Sequence, residues 1–208
     1  MKNKQRMVRS AHAWLGLITG IQLLFWCAGG LVFSTHDIEW VRGNHGRDSS
    51  PPATLLGKPV YRLTGESGKA LVDAGSGKAF VIDESQAQAI AQADRAEPPE
   101  VAQSALITAD APTEFRGRTL PAWQIKLADA DNTHVYVDQA TGAIAARRND
   151  AWRRFDFFWM LHTMDYSGRD DFNTPWLVVF SVLGLLSDSS GWGIWVFRFA
   201  RRRKAETV

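Results

Sequence analysis

Two long apolar runs enclose a middle segment in which apolar and polar residues alternate over short stretches. The first run extends from Trp14 to Ser34, with LGLITGIQLLFWCAGGLVF at its heart, and carries no charge; the second extends from Pro175 to Phe197 and carries one, Asp188. At about 1.5 Å per residue, each is long enough to cross a hydrocarbon layer of roughly 30 Å as a helix. Between them, PVYRL (59–63), KALVD (69–73) and KAFVID (78–83) alternate as strands do, and the last two flank the loop AGSG, which predicts a hairpin. ESQAQAIAQADR then places Ala at helical spacing behind Glu84 and Ser85. VAQSALIT (101–108), AWQIKLAD (122–129), THVYVD (133–138) and AIAARR (143–148) follow, the last three separated by turn-forming Asp-Ala-Asp-Asn and Gln-Ala-Thr-Gly. The middle therefore reads as an antiparallel α+β domain with one sheet and one main helix.

Charge orients this arrangement. Lys2, Lys4, Arg6 and Arg9 precede the first run, and Arg198, Arg201, Arg202, Arg203 and Lys204 follow the second. The excess of positive residues on the cytoplasmic side of a membrane puts both termini inside and the middle outside. The expected division is a basic cytoplasmic tail (1–13), a first span (14–34), a periplasmic domain (35–149), an amphipathic interfacial helix (150–166), a second span (175–197) and a second basic tail (198–208). Residues 35–50 read as an exit segment, and Pro51-Pro52 as a linker boundary. The expected location is the bacterial inner membrane. A cleaved signal peptide is the rival reading of the first run, but its apolar core is longer than about 7–15 residues, and no small-residue cleavage site follows. Gly16, Gly20, Gly29 and Gly30 in the first run, and Gly184, Gly191 and Gly193 in the second, offer close helix approach or ordinary transmembrane glycine usage.

Composition sharpens the picture in three places. Most of the 9 Trp lie in or beside the apolar runs, as suits the membrane–water boundary. A single cysteine, Cys27, excludes an intrachain disulfide, and the middle segment, with no cysteine, offers no zinc-thiolate site. The net charge of +2 comes from basic chain ends, so it gives no footprint for nucleic acid.

A resemblance enters with particular residues. AWQIKLADADNTHVYVDQATGAI resembles the signature of the PepSY domain, and LVDAGSGKAFVIDESQAQAIA is similar to its earlier part. His12-Ala13-Trp14-Leu15-Gly16 at the start of the first span, Leu161-His162 before the second, and GWGIWVFR at its end resemble the PepSY-associated transmembrane family. The chain is identified as a minimal two-span member: membrane α-helical, with a periplasmic PepSY-like domain. The resemblance implies membrane ferric-siderophore reductases and haem-containing electron carriers, hence iron uptake, a ferric siderophore ligand and a homodimer or redox partner subunit.

The candidate chemistry rests on histidine. No phosphate loop, dinucleotide fingerprint, nucleophile elbow or Cys-x-x-Cys-His motif is present. Neutral imidazole is a good axial ligand for haem iron. Phe155, Phe158, Trp159 and His162 form one apolar stripe, so residues 150–166 read as an amphipathic helix on, or dipping into, the outer bilayer surface. His36 belongs at that outer level, whereas His12 belongs at the cytoplasmic mouth. The expectation is haem b held by His162 with His36 or a second chain's histidine. His12 is a further cofactor candidate that cannot share one iron with His162. In the bland reading, His162 bonds a carbonyl or headgroup and His12 marks a wet helix start. His45 and His134 are expected to play no part.

Asp188 is costly inside a span, about 2.5–3.5 kcal/mol on insertion scales, so it should face protein or water. Counted from the outer ends it lies level with Gln22, and the two are expected to pair, as polar glue or as a proton relay. Asp73, Asp83, Asp129 and Asp138 precede turns and read as turn caps. Arg147, Arg148, Arg153 and Arg154 suit lipid headgroups or an anionic ligand. The non-catalytic alternative is a membrane-tethered PepSY module that presents its domain to a periplasmic protein.

Overall fold

In the computed structural model, the structure describes residues 2–43, 55–65 and 68–206. The chain divides into two compact units: a helical unit made of the chain up to Thr35 together with the chain from Phe155 onward, and a sheet unit from His36 to Arg154.

In the helical unit, α1 (Lys2–Thr35) and α5 (Pro175–Glu206) pack against each other. Both extend beyond the apolar runs, because nothing in the flanking basic segments breaks a helix. The stretches Arg6–Thr35 and Pro175–Arg198 are long and apolar enough to span a membrane, and only 11% and 6% of their most apolar windows is buried. Leu17, Ile21, Leu24, Val178, Val182 and Leu185 are all exposed. A core helix of a soluble protein would hide these side chains, and lipid is the solvent that accepts them. Of the glycines expected to admit a neighbouring helix, Gly29 and Gly191 have side chains against them; Gly16, Gly20, Gly30, Gly184 and Gly193 face open space.

The helix α4 (Asp150–Thr163) leads into this unit. Asn149 caps it, its Oδ1 accepting from the Trp152 N–H at 2.8 Å. From Phe155 onward its apolar stripe lies along the C-terminal half of α1. Phe155 meets Phe33 at 4.5 Å between ring centroids, Phe158 covers Gly29, and His162 meets Trp26 at 5.7 Å. From there on the stripe faces α1.

The sheet unit opens with the short helix α2 (Ile38–Val41), capped by Asp37. Its strands are β1 (Val60–Gly65), β2 (Gly68–Asp73), β3 (Ala79–Phe80), β4 (Val101–Ile107), β5 (Ala122–Leu127), β6 (His134–Asp138) and β7 (Ile144–Arg148), with α3 (Glu84–Ala93) between β3 and β4. All pairings are antiparallel. Instead of the expected single sheet, the described residues form two: β1-β2-β3 and β4-β5-β6-β7. The break falls where β3 stops after two residues and the chain turns into α3, whose capping box joins Asp83 to Gln86. The side chains of α3 then join both sheets through one core of Leu71, Ile82, Ala87, Ile90, Ile125, Val135 and Val137. On the opposite face of β6, Tyr136 stacks on Phe115 at 4.3 Å, so this central strand is buried on both sides. Gly142 takes φ +64° in the turn after β6, and a Cβ there would meet Leu55 Cδ1 at 2.9 Å. Only glycine fits that turn under the core.

Candidate functional site

His162 occupies the last turn of α4, where a helix leaves its final carbonyls without partners of its own. Here other side chains supply the donors. Gln22 Nε2 donates to Leu161 O (3.0 Å), Trp26 Nε1 to His162 O (3.1 Å) and Thr174 Oγ1 to Thr163 O (3.2 Å). Gln22 and Trp26 are one helical turn apart on α1, so a single face of that helix closes the end of α4. The imidazole of His162 is ringed by Trp26, Phe33 and Trp159, the last nearly parallel to it at 6.4 Å. Within that setting His162 Nδ1 is buried and, among the described residues, has no hydrogen-bond partner.

Beyond α4, Asp165 organises the chain before α5. It accepts from the backbone N–H groups of Ser167, Gly168, Asp170 and Asp171. Those bonds, with Asp171 contributing most, hold its carboxyl far below the usual carboxylate range. Gly168 makes the cradle possible, since a Cβ there would lie 2.9 Å from Asp165 Oδ2. Asp156, on the polar side of α4, is buried and ion-paired with Arg169.

The other end of the helical unit carries His12. Ser190 Oγ donates to Ser187 O at 2.7 Å, and His12 Nδ1 lies 2.6 Å from the same Ser190 oxygen. With its proton already given to the carbonyl, the hydroxyl accepts from His12 Nδ1–H. This contact sets the register of the two spans. Counting back from Ser190 puts Pro175 opposite about residue 27 of α1. The expected pairing of Gln22 with Asp188 is therefore not found: Gln22 serves the end of α4, and Asp188 borders a groove with His12. The expectation assumed that both spans start at one level, whereas α4 occupies the C-terminal stretch of α1. Trp26, bonded to His162, is 14 residues beyond His12, so the two imidazoles sit about 21 Å apart along α1.

His36 lies in the sheet unit, half-buried, with its ring 6.2 Å from that of Trp40. His45 and the Pro51-Pro52 boundary fall outside the described residues. His134 does have a structural role. Its Nδ1 lies 2.5 Å from Glu114, which also accepts from Tyr136 Oη (2.6 Å) and Arg153 Nε (2.8 Å). Burial alone would raise the Glu114 carboxyl. The bonds from His134, Tyr136 and Arg153 outweigh it and bring the pKa down to about 2. Arg148 stacks over Trp152 at 4.2 Å, and burial lowers its pKa to about 10. Arg147 forms a two-point pair with Asp94 at 2.6 and 2.5 Å. Two of the four arginines read as headgroup or anion contacts, Arg147 and Arg153, are thus engaged by carboxylates. Asp73, Asp83, Asp129 and Asp138 accept backbone N–H groups from the turns or helix start that follow them, as expected.

Among the described residues, no group of three or more His, Cys, Asp or Glu is placed to hold a metal ion. What the geometry offers is one imidazole near each end of a lipid-exposed helix pair, joined to an α+β domain with antiparallel sheets. That defines a two-span membrane protein carrying a folded extramembrane domain. The chain belongs to the PepSY-associated TM region family, whose model matches residues 3–207. No curated protein and no solved structure matches it.

Proposed function

We propose that this chain is an inner-membrane electron-transfer subunit that holds haem b through His162, with His36 or a histidine of a second copy as the other axial ligand. The observation behind the reading is the buried, unpartnered Nδ1 of His162. An unsatisfied buried polar atom costs about 1–3 kcal/mol, a cost removed when a group absent from the polypeptide meets the ring. The surroundings suit such a group. Trp26, Phe33 and Trp159 provide flat apolar contact and keep water from the ring. Gln22 and Trp26 fix the end of α4 and so set the level of the imidazole against α1. Haem would supply reversible one-electron chemistry. The residues of this chain bind, orient and desolvate.

The orientation belongs to the same proposal. Basic residues at both ends put the termini in the cytoplasm and the sheet unit in the periplasm. Reduction of a ferric siderophore in iron uptake is the activity class that family resemblance supports, with electrons supplied by a partner because no nicotinamide or flavin motif is present. A non-catalytic role, presenting the sheet unit to a periplasmic protein, is favoured by one observation: Tyr61 and Leu63 are 62% and 54% exposed on one face of β1.

An absorption spectrum decides between them. Full-length protein purified after haem-replete expression is expected to show a Soret band, and His162→Ala to lose it while far-ultraviolet circular dichroism stays unchanged. A colourless wild-type protein would end the haem reading.

A further inference from the structure

Asp188 is exposed on the surface of α5, ten residues or about 15 Å of helix inward from Arg198. Among the described residues none gives it a hydrogen bond or an ion pair. By the contact between His12 and Ser190 it lies level with about residue 14, at the end of the first apolar run, where water gives way to lipid. It borders a groove of about 430 Å³ lined by His12, Ser187, Asp188, Gly191, Trp192 and Trp195. The surrounding surface is apolar, with Leu185, Leu186, Trp192 and Trp195 all exposed. An occupant therefore arrives from the lipid.

The groove also specifies hydrogen bonding. Because His12 Nδ1 donates to Ser190, the neutral imidazole presents Nε2 as an acceptor. Gly191 gives the ring its room, since a Cβ there would lie 3.2 Å from His12 Cε1. Asp188, when ionised, is an acceptor as well. Two acceptors call for an occupant that brings two donors and carries no negative charge. The indoles of Trp192 and Trp195, edge to face at 5.8 Å, offer flat apolar walls to a planar ring. A neutral, planar, lipid-soluble molecule with two O–H groups is a hydroquinone. An anionic headgroup would be repelled by Asp188, and a sterol has one hydroxyl for two acceptors.

We propose that this groove binds the head group of a lipid-soluble hydroquinone, whose hydroxyls donate to Nε2 of His12 and to the carboxylate of Asp188. The inference deepens the electron-transfer reading, on which its physiological use rests, by naming the membrane-soluble class of redox partner. The probe is a ubiquinol with a ten-carbon tail, kept reduced under anaerobic conditions and titrated into the full-length protein in lipid nanodiscs. Binding is read as quenching of tryptophan fluorescence. Saturable quenching is expected, weakened tenfold or more in both His12→Ala and Asp188→Asn and unchanged in Leu24→Ala, an exposed position at another level. Equal affinity in the wild type and both groove variants would overturn the proposal, as would absence of saturable binding to the folded wild type. So would Asp188→Cys crosslinking between copies together with failure of the wild type to bind the probe, which would make the groove a dimer contact. Binding without a Soret band removes the haem reading alone; a Soret band without binding removes this one alone.

Discussion

At the scale of single residues, Glu114 shows how a side chain without a motif can anchor a domain. It sits in a one-turn 3₁₀ segment and collects donors from two positions on β6 and one at the start of α4. Its folded pKa, about 2, is below its ordinary value of 4.5. A depressed carboxyl contributes stability that is fully present above the ordinary value and is lost as pH falls toward the folded one. The sheet unit should therefore lose stability between about pH 4.5 and pH 2 through this group. Glu114→Gln is expected to flatten that part of the stability–pH curve. It should also lower stability at neutral pH by about 1–3 kcal/mol, because one of the two accepting oxygens becomes an N–H₂ donor that faces another donor. Denaturant unfolding at several pH values checks both. Nothing in the sequence pointed to this residue: its partners lie 20, 22 and 39 positions away, beyond the reach of periodicity. The turn carboxylates were legible because Asx geometry is local, its donors arriving from the next few residues.

At the scale of elements, the strands of the second sheet appear within a residue or two of the alternating runs, because half-buried strands write their two faces directly into sequence. The separation into two sheets was not legible, since it depends on where β3 ends relative to the core rather than on any local pattern. The stripe on α4 announced that the helix had an apolar partner; that the partner is α1 follows from the reach of Gln22 and Trp26, which no spacing reveals. Those two side chains should act together. Gln22→Leu and Trp26→Phe each strand a carbonyl, at a cost of about 1–3 kcal/mol. The double variant is expected to cost less than the sum of the two, because once the end of α4 frays the second bond is already lost. Thermal unfolding in detergent, with hydrogen exchange in residues 158–163, reads this coupling.

At the scale of the whole molecule, both spans and the α+β character of the middle were evident from apolar length and alternation. Register between the spans was not. Equal apolar lengths suggested equal starting levels, and only the contact between His12 and Ser190 gives the true offset. Topology itself remains a matter of charge. A reporter active only outside the cytoplasm, fused near residue 100, is expected to be active; fusions beyond residue 200 should be silent. Replacing the five basic residues after Phe197 with neutral ones should reduce that difference.

The tie between α1 and the end of α4 has a consequence for how the chain enters the bilayer. A helix that ends against the side of another needs its last carbonyls met by something already there. Synthesis delivers α1 first, so that its side chains are waiting when α4 emerges. A chain whose first 35 residues are exchanged for an unrelated apolar helix should still anchor, yet leave residues 155–163 stranded at the water boundary and open to protease.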